Sequence, residues 1–386
     1  MKWLLNSVAL VLMCLLFVGC GGPKDPAPTS TGGGDSAQTT TTPSFTLAVS
    51  EYPSWSVFLV ADMQGLIDGK AGAQGTVEKK WNVDVVLKEA DYDTCLTLYG
   101  SGTVDASCQT NMDSLAPALG RPSVAILPTS TSVGADACIT VGIDSLEDLK
   151  GKTTYGLEKS VAQYAFERGL IKQGQDPADF PFRNMDPGAA AQAMQTGQAN
   201  IDSIQVWNPF VLQTVRTRDG AKVLFDSSTI PEEIIDMVVI GKDSLSKPGG
   251  EDFACCVIDT FYQTCTSLGA ALGNDPLTED QAKEVVAKLT EDQRKALVAL
   301  GAKFSNLPDV DMCQVVRATR FYKTADEGIG LFTNATFQGT TTPSVSKFCV
   351  SHGIVDSAPD IAFSTLNNDP AALKFDPQFM QKVKSK

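Results

Sequence analysis

Ser101-Gly102-Thr103-Val104-Asp105 leads through a short apolar run to Asn111-Met112-Asp113, and later Thr196-Gly197, followed by Asp202, leads through another to Trp207-Asn208-Pro209. In both stretches a helical pattern precedes the glycine, which stands where a helix C-cap takes a left-handed turn. An acid follows, then a short buried strand, with an asparagine six residues beyond the acid in each. Each copy therefore reads as helix, cap glycine, buried strand and polar far end. Ligands of open α/β sheets bind beyond the carboxyl ends of strands. Two such ends in two matching halves predict a cleft with a polar wall on either side, although two unrelated βαβ units would show the same echo by chance.

Outward from this echo the chain alternates strand and helix. Phe45–Val49 and Val83–Leu87 read as strands, and Val57–Leu66 and Tyr92–Tyr99 as helices broken by Gly65, Gly69, Gly100 and Gly102. Thr153–Leu157 and Asp202–Val206 read as further strands, and Val161–Lys172 and Ala189–Thr196 as helices. Alternation of this kind predicts helices covering mainly parallel sheets, an α/β fold. The last third differs, with helical segments at Phe253–Leu268, Glu279–Leu289 and Asp292–Leu300.

The N-terminus reads as an export signal: Lys2, an apolar run through Phe17, then Phe17-Val18-Gly19-Cys20. It resembles the lipobox of bacterial lipoproteins, which implies cleavage before Cys20, lipidation of Cys20 and tethering to a bacterial membrane, periplasmic or at the cell surface. The run is shorter than the ~20 residues of a spanning helix. Residues 21–44, rich in Gly, Pro, Ser and Thr, read as a flexible leash. The formal net charge of -14 argues against nucleic acid and against docking on anionic lipid.

Beyond Cys14 and Cys20 there are Cys95, Cys108, Cys138, Cys255, Cys256, Cys265, Cys313 and Cys349; in an oxidising compartment this even set predicts disulfides, adjacent Cys255 and Cys256 taking separate partners. No CxxC spacing occurs and His352 is the sole histidine, so neither a metal nor a cofactor is expected.

Glu51-Tyr52-Pro53-Ser54-Trp55, Ser101–Ala106, Asp144–Lys152, Val206-Trp207-Asn208-Pro209-Phe210 and Lys222–Ser228 are similar to the nitrate, sulfonate and taurine group of periplasmic substrate-binding proteins. The likeness runs over residues 45–245. It implies a type II periplasmic-binding fold: two α/β lobes joined by two crossing strands, closing on a small ligand and delivering it to an ABC permease and its ATPase. The implied first lobe is 45–137 plus 241–386 and the second 138–240, with crossings near Asp136–Val141 and Asp236–Gly241. Thr110–Asp113, Gly134–Ala137, Ser160–Tyr164 and Trp207–Pro209 look closest to members associated with urea carboxylase, which implies urea-like or guanidine-like ligands. A monomer is expected.

Glu51, with Tyr52 and Trp55 in a Pro-Ser turn, suits a cationic or amide-bearing group, and equally a loop acid with Trp55 packed inward. Asn111, Met112 and Asp113 end the first echo strand, as ligand contacts or turn formers. Ser160, Gln163 and Tyr164 open a helix whose amides suit an anion, or Ser160 simply caps it. Trp207 and Asn208 end the second echo strand and offer a planar floor and an amide reader, against plain core packing. Asp136 and Asp236 lie on the implied crossings. Glu51, Asp113, Asp136 and Asp236 are acidic, and no candidate is Lys or Arg; four carboxylates oppose an anion, which favours a cationic or neutral nitrogen-rich ligand over nitrate or sulfonate, and the alternative is nitrate, sulfonate, taurine or a thiamine pyrimidine bound by the same fold. An enzyme resembling the pyrimidine synthases would need a histidine and a cysteine cluster that the matched region lacks. A sensor or scaffold without transport is the remaining alternative.

Overall fold

The computed structural model describes residues 42–386 except 305, 367 and 368. The expected signal peptide, with Cys14 and Cys20, and the expected leash up to residue 41 lie outside the described residues. No helix among the described residues is long and apolar enough to cross a membrane.

Alternating apolar residues at Phe45, Leu47 and Val49 make β1 (Ser44–Val49), followed in the same sheet by β2 (Asp84–Glu89), β3 (Ala106–Thr110) and β4 (Ser123–Ser132). The chain then builds a smaller sheet from β5 (Asp136–Val141), β6 (Thr154–Gly156), β7 (Phe182–Asn184), β8 (Ser203–Trp207) and β9 (Ala221–Asp226). It returns as β10 (Ile235–Gly241) and adds β11 (Thr319–Phe321), β12 (Ile361–Phe363) and β13 (Leu373–Phe375) to the first sheet. The larger sheet runs β12-β13-β4-β10-β3-β1-β2, with β11 on β4, and the smaller runs β7-β6-β8-β5-β9.

Neither sheet is simply parallel. β10 runs antiparallel to β3 and β4, and β5 antiparallel to β8 and β9. Both are the strands by which the chain enters from the other sheet, so they start where the local strands end. This corrects the placing of the crossings: Asp136–Val141 and Asp236–Gly241 lie within single sheets, and the chain passes between sheets at 133–135 and 227–234. A fully buried extended run looks the same in sequence whether it spans two sheets or sits in one.

The smaller sheet buries both faces, as the period of two along β5 requires. Ala137 and Ile139 pack with Met194, Ile204 and Val211 on one side, while Cys138 packs with Phe166, Leu170 and Phe225 on the other. The larger sheet anchors the main core, which takes in the Gly250–Leu268 helix and the C-terminal helices. The expected disulfides are not formed: all eight cysteines from Cys95 onward are free and buried. They fill the core as small apolar side chains, and burial pushes the thiols of Cys138 and Cys349 up to about 12. Cys255 and Cys256 share the Gly250–Leu268 helix, both inside the core.

Candidate ligand-binding cleft

The two echo segments form matching ends. After the Tyr92–Gly100 helix, Gly102 N–H bonds Tyr99 O and Thr103 N–H bonds Leu98 O; after the Pro187–Gln195 helix, Gly197 N–H bonds Met194 O and Gln198 N–H bonds Ala193 O. Both glycines have positive φ, 74° and 69°, which closes the same helix-ending turn. β3 and β8 follow. Each receives the strand arriving from the other sheet in the same register, Thr110 opposite Asp236 and Trp207 opposite Asp136. In both, the next asparagine N–H bonds the residue before that aspartate: Asn111 to Ile235 O and Asn208 to Ala135 O, each at 2.8 Å. The internal repeat thus sets one carboxylate at each inner corner of the cleft.

Between these corners lies a cavity of about 390 Å³ with walls from both lobes. Asp136 and Asp236, only 3% and 2% exposed, stand at its base. Glu51, Glu89, Asp91, Asp93 and Asp186 stand exposed around its mouth. Among the described residues no lysine or arginine lines it, although Lys303 reaches Glu89 from outside at 3.8 Å. Tyr52, Trp55 and Tyr92 form an aromatic ladder along one wall, with ring centroids 4.9 and 5.2 Å apart; Trp207 and Phe210 line the smaller lobe's side. A neighbouring hollow of about 280 Å³ shares Tyr92, Asp93 and Leu157 and carries Asp113, Glu158, Lys159 and Ser160.

Burial sets the electrostatics of the base. It raises the Asp136 carboxyl to about 7, with Asp113 and Asp226 adding to the rise. Asp236 is also raised, by burial and by Asp136, against a hydrogen bond from Ser130. Asp113 is raised to about 6, chiefly by burial, while hydrogen bonds from Tyr92 and Thr110 pull the other way. The Tyr52 hydroxyl, on a residue 5% exposed, faces Asp236 and Thr319, while the Trp55 indole N–H, on a residue 4% exposed, is buried without a hydrogen-bond partner. A buried polar group left unpaired costs about 1–3 kcal/mol. Orphans at a cavity wall are groups that a ligand would satisfy.

The helix N-termini around the cleft already hold carboxylates. Asp91 accepts from Thr94 N–H and Asp186 from Ala189 N–H, both at 2.9 Å. Ser160 accepts from Ala162 N–H at 3.1 Å, and the Val161 N–H faces Asp113 of the other lobe and favours its charged form. The amides that suit an anion are therefore occupied by the chain's own acids.

The cleft architecture has known counterparts. The chain is similar to the periplasmic aliphatic sulphonate binding protein SsuA from Escherichia coli, at 16% identity and a TM-score of 0.59 over 82% of this chain and 89% of that one. It is similar to the alkanesulfonate-binding protein SsuA from Xanthomonas axonopodis pv. citri bound to MOPS, at 14% and 0.58 over 81% and 93%. A third likeness, 14% and 0.54 over 82% and 92%, is to the Candida albicans CA3427 gene product, a protein with the generic periplasmic binding protein structural fold. The chain has the type II periplasmic-binding fold. No protein-family model matches it, and no curated protein sequence does.

Within this fold, Glu51, Tyr52, Trp55, Asp136, Trp207 and Asp236 come together around the one cavity, and Asp113 and Ser160 line the hollow beside it. The other candidates have structural work elsewhere. Asn111 donates to Glu233 O at 3.1 Å and accepts from Ile235 N–H at 3.2 Å, so its amide fastens the segment passing between lobes. Met112 is buried in the core. Gln163 accepts from Lys159 N–H and donates to Glu167, while buried Tyr164 donates to Glu233, which Arg168 also holds. Asn208, just before the Pro209 cap of the Phe210–Thr217 helix, accepts from Leu212 N–H in its first turn. His352 lies away from the cavity, stacked on Phe348 with Nε2 2.9 Å from Glu167.

Reading the echo only forward from its glycines misses the mouth of the cleft. Asp91 and Asp186 each stand eleven residues before their glycine, at equivalent helix N-caps. That spacing was available in the sequence. Nothing comparable marks Tyr92 or Phe210.

Proposed function

We propose that this protein is the substrate-binding lipoprotein of an ABC importer, and that its cleft captures a small cationic nitrogen-containing solute for the permease and its ATPase. The fold and the export signal support the first part. The observation that carries the second is a cavity with seven carboxylates in its wall and, among the described residues, no lysine or arginine. At about 4 Å from one ionised carboxylate, with an effective dielectric near 20, an anion meets roughly 4 kcal/mol of repulsion and a cation a similar attraction. That is about a thousandfold in affinity in either direction.

Guanidine-like ligands fit this wall best. A guanidinium N–H donates to Asp136 or Asp236, its plane stacks on Trp55 or Trp207, and the Tyr52 hydroxyl accepts a further N–H. The Trp55 indole N–H, a donor only, favours a urea-like carbonyl or a hydroxyl elsewhere on the same ligand. The lipid at Cys20 and the leash would hold a monomeric binder near its permease and raise its local concentration there. No cofactor takes part.

A thermal-shift panel of guanidinium, alkylammonium, urea, nitrate, taurine and methanesulfonate at equal ionic strength tests this reading. Ligand at 100 times its Kd adds about 2.7 kcal/mol of stability. The cations are expected to raise Tm and the anions to leave it unchanged. Stabilisation by taurine or methanesulfonate alone would overturn the cation reading.

A further inference from the structure

Four of the seven carboxylates of the cleft, Asp136 with Asp236 and Asp93 with Asp186, form two pairs that straddle it. At the base, Asp236 of the larger lobe and Asp136 of the smaller occupy equivalent corners, hold protons in the empty cleft and ionise when a cation faces them. At the mouth, Asp91 and Asp186 cap equivalent helices, and Asp93, next to Asp91, faces Asp186 across the gap. The mouth pair sets like charge on opposing walls and opposes closure until a cation lies between its members, while the base pair gives up its protons to a cation placed between them. One positive charge satisfies one pair and leaves the other without a counter-ion. The cavity is also far larger than a bare guanidinium, and much of its remaining wall is aromatic, from Tyr52, Trp55, Trp207 and Phe210.

We propose that the ligand is a dication with an apolar spacer, a diamine or guanidino-amine, whose inner charge lies between Asp136 and Asp236 and whose outer charge lies between Asp93 and Asp186. The inference rests on the cation reading of the cleft and adds charge number and shape to it. The aromatic wall shields the methylenes while the ends bridge both lobes, so one molecule closes the clamp at two points.

Titration calorimetry with a length series tests it: 1,3-diaminopropane, 1,4-diaminobutane and 1,5-diaminopentane against propylamine, butylamine and pentylamine. The best diamine is expected to bind at least thirtyfold tighter than its monoamine, with an optimum in chain length. The Asp93→Asn/Asp186→Asn variant, which keeps a side chain able to cap the helix, is expected to lose about tenfold for the diamine and little for the monoamine. Monoamines binding as tightly as diamines would overturn the dication and leave the cation reading standing. A diamine advantage untouched in the double variant would overturn the outer pairing. If no amine binds while methanesulfonate does, the cation reading itself falls.

Discussion

The ends of β3 and β8 share a backbone plan and differ in what hangs from it. Both follow a helix closed by a left-handed glycine, both meet an aspartate from the other lobe, and both fasten it through an asparagine N–H. Yet Thr110 of the larger lobe turns its hydroxyl to Asp113, whereas Trp207 of the smaller lobe presents an indole to the cavity. The larger lobe takes its aromatic wall from Tyr52, Trp55 and Tyr92 instead. The repeated backbone therefore fixes where the two inner charges stand, and the unrepeated side chains fix what shape of cation fits between them.

Changing the paired positions one at a time gives the sharpest test of that division. Asp136→Asn and Asp236→Asn should each weaken cation binding by about ten- to a hundredfold, the loss of a charge-assisted bond worth roughly 1.5–3 kcal/mol, measured by calorimetry. A large loss at one corner and none at the other would break the equivalence. The non-equivalent positions should behave otherwise: Trp207→Ala should cost about tenfold, a cation–π contact being worth about 1–2 kcal/mol when desolvated, and Thr110→Val only a few-fold.

The two asparagines sharpen the comparison on the stability side. Asn111→Ala removes two buried bonds to the passing segment and should cost about 1–3 kcal/mol in urea unfolding. Asn208→Ala removes one acceptor from the first turn of a helix and should cost about 1 kcal/mol. The pH dependence of the free protein follows from the inner acids. Asp113 and Asp136 bind protons more tightly folded than unfolded, so their contribution is full below about pH 4 and is lost as pH rises through about 6 and 7, and Asp236 shifts in the same direction. Tm should fall from pH 5 to pH 8, and Asp136→Asn should flatten that fall by a few degrees. The smallest effect belongs to the exposed mouth: Glu51→Gln should slow association a few-fold at low salt and not at high salt, since exposed charges are screened within about 8–10 Å.

Much of this was legible in the chain. The Val161–Lys172 helix has the bounds its apolar spacing predicts, and the helices at 253–268, 279–289 and 292–300 shift by a few residues at most. The echo located the cleft because cap glycines and buried strands are local features. What sequence cannot show is which way a polar side chain turns. Asn111 and Tyr164 serve the segment 227–234, which reaches them only after folding. The echo also overreached at its acids: Asp105 is bound by Thr46, Ser244 and Lys247, while its counterpart Asp202 is exposed. The cysteines misled because small apolar fillers and disulfide partners share one letter.

Calorimetric titration at pH 7 in two buffers of different ionisation enthalpy tests the central claim most directly, because it counts protons as well as ligand. With 1,4-diaminobutane as probe, the account predicts binding with proton release, as the inner carboxyls that are protonated when free give up protons to face a cation. Tight binding of methanesulfonate with proton uptake, and none of the diamine, would contradict it.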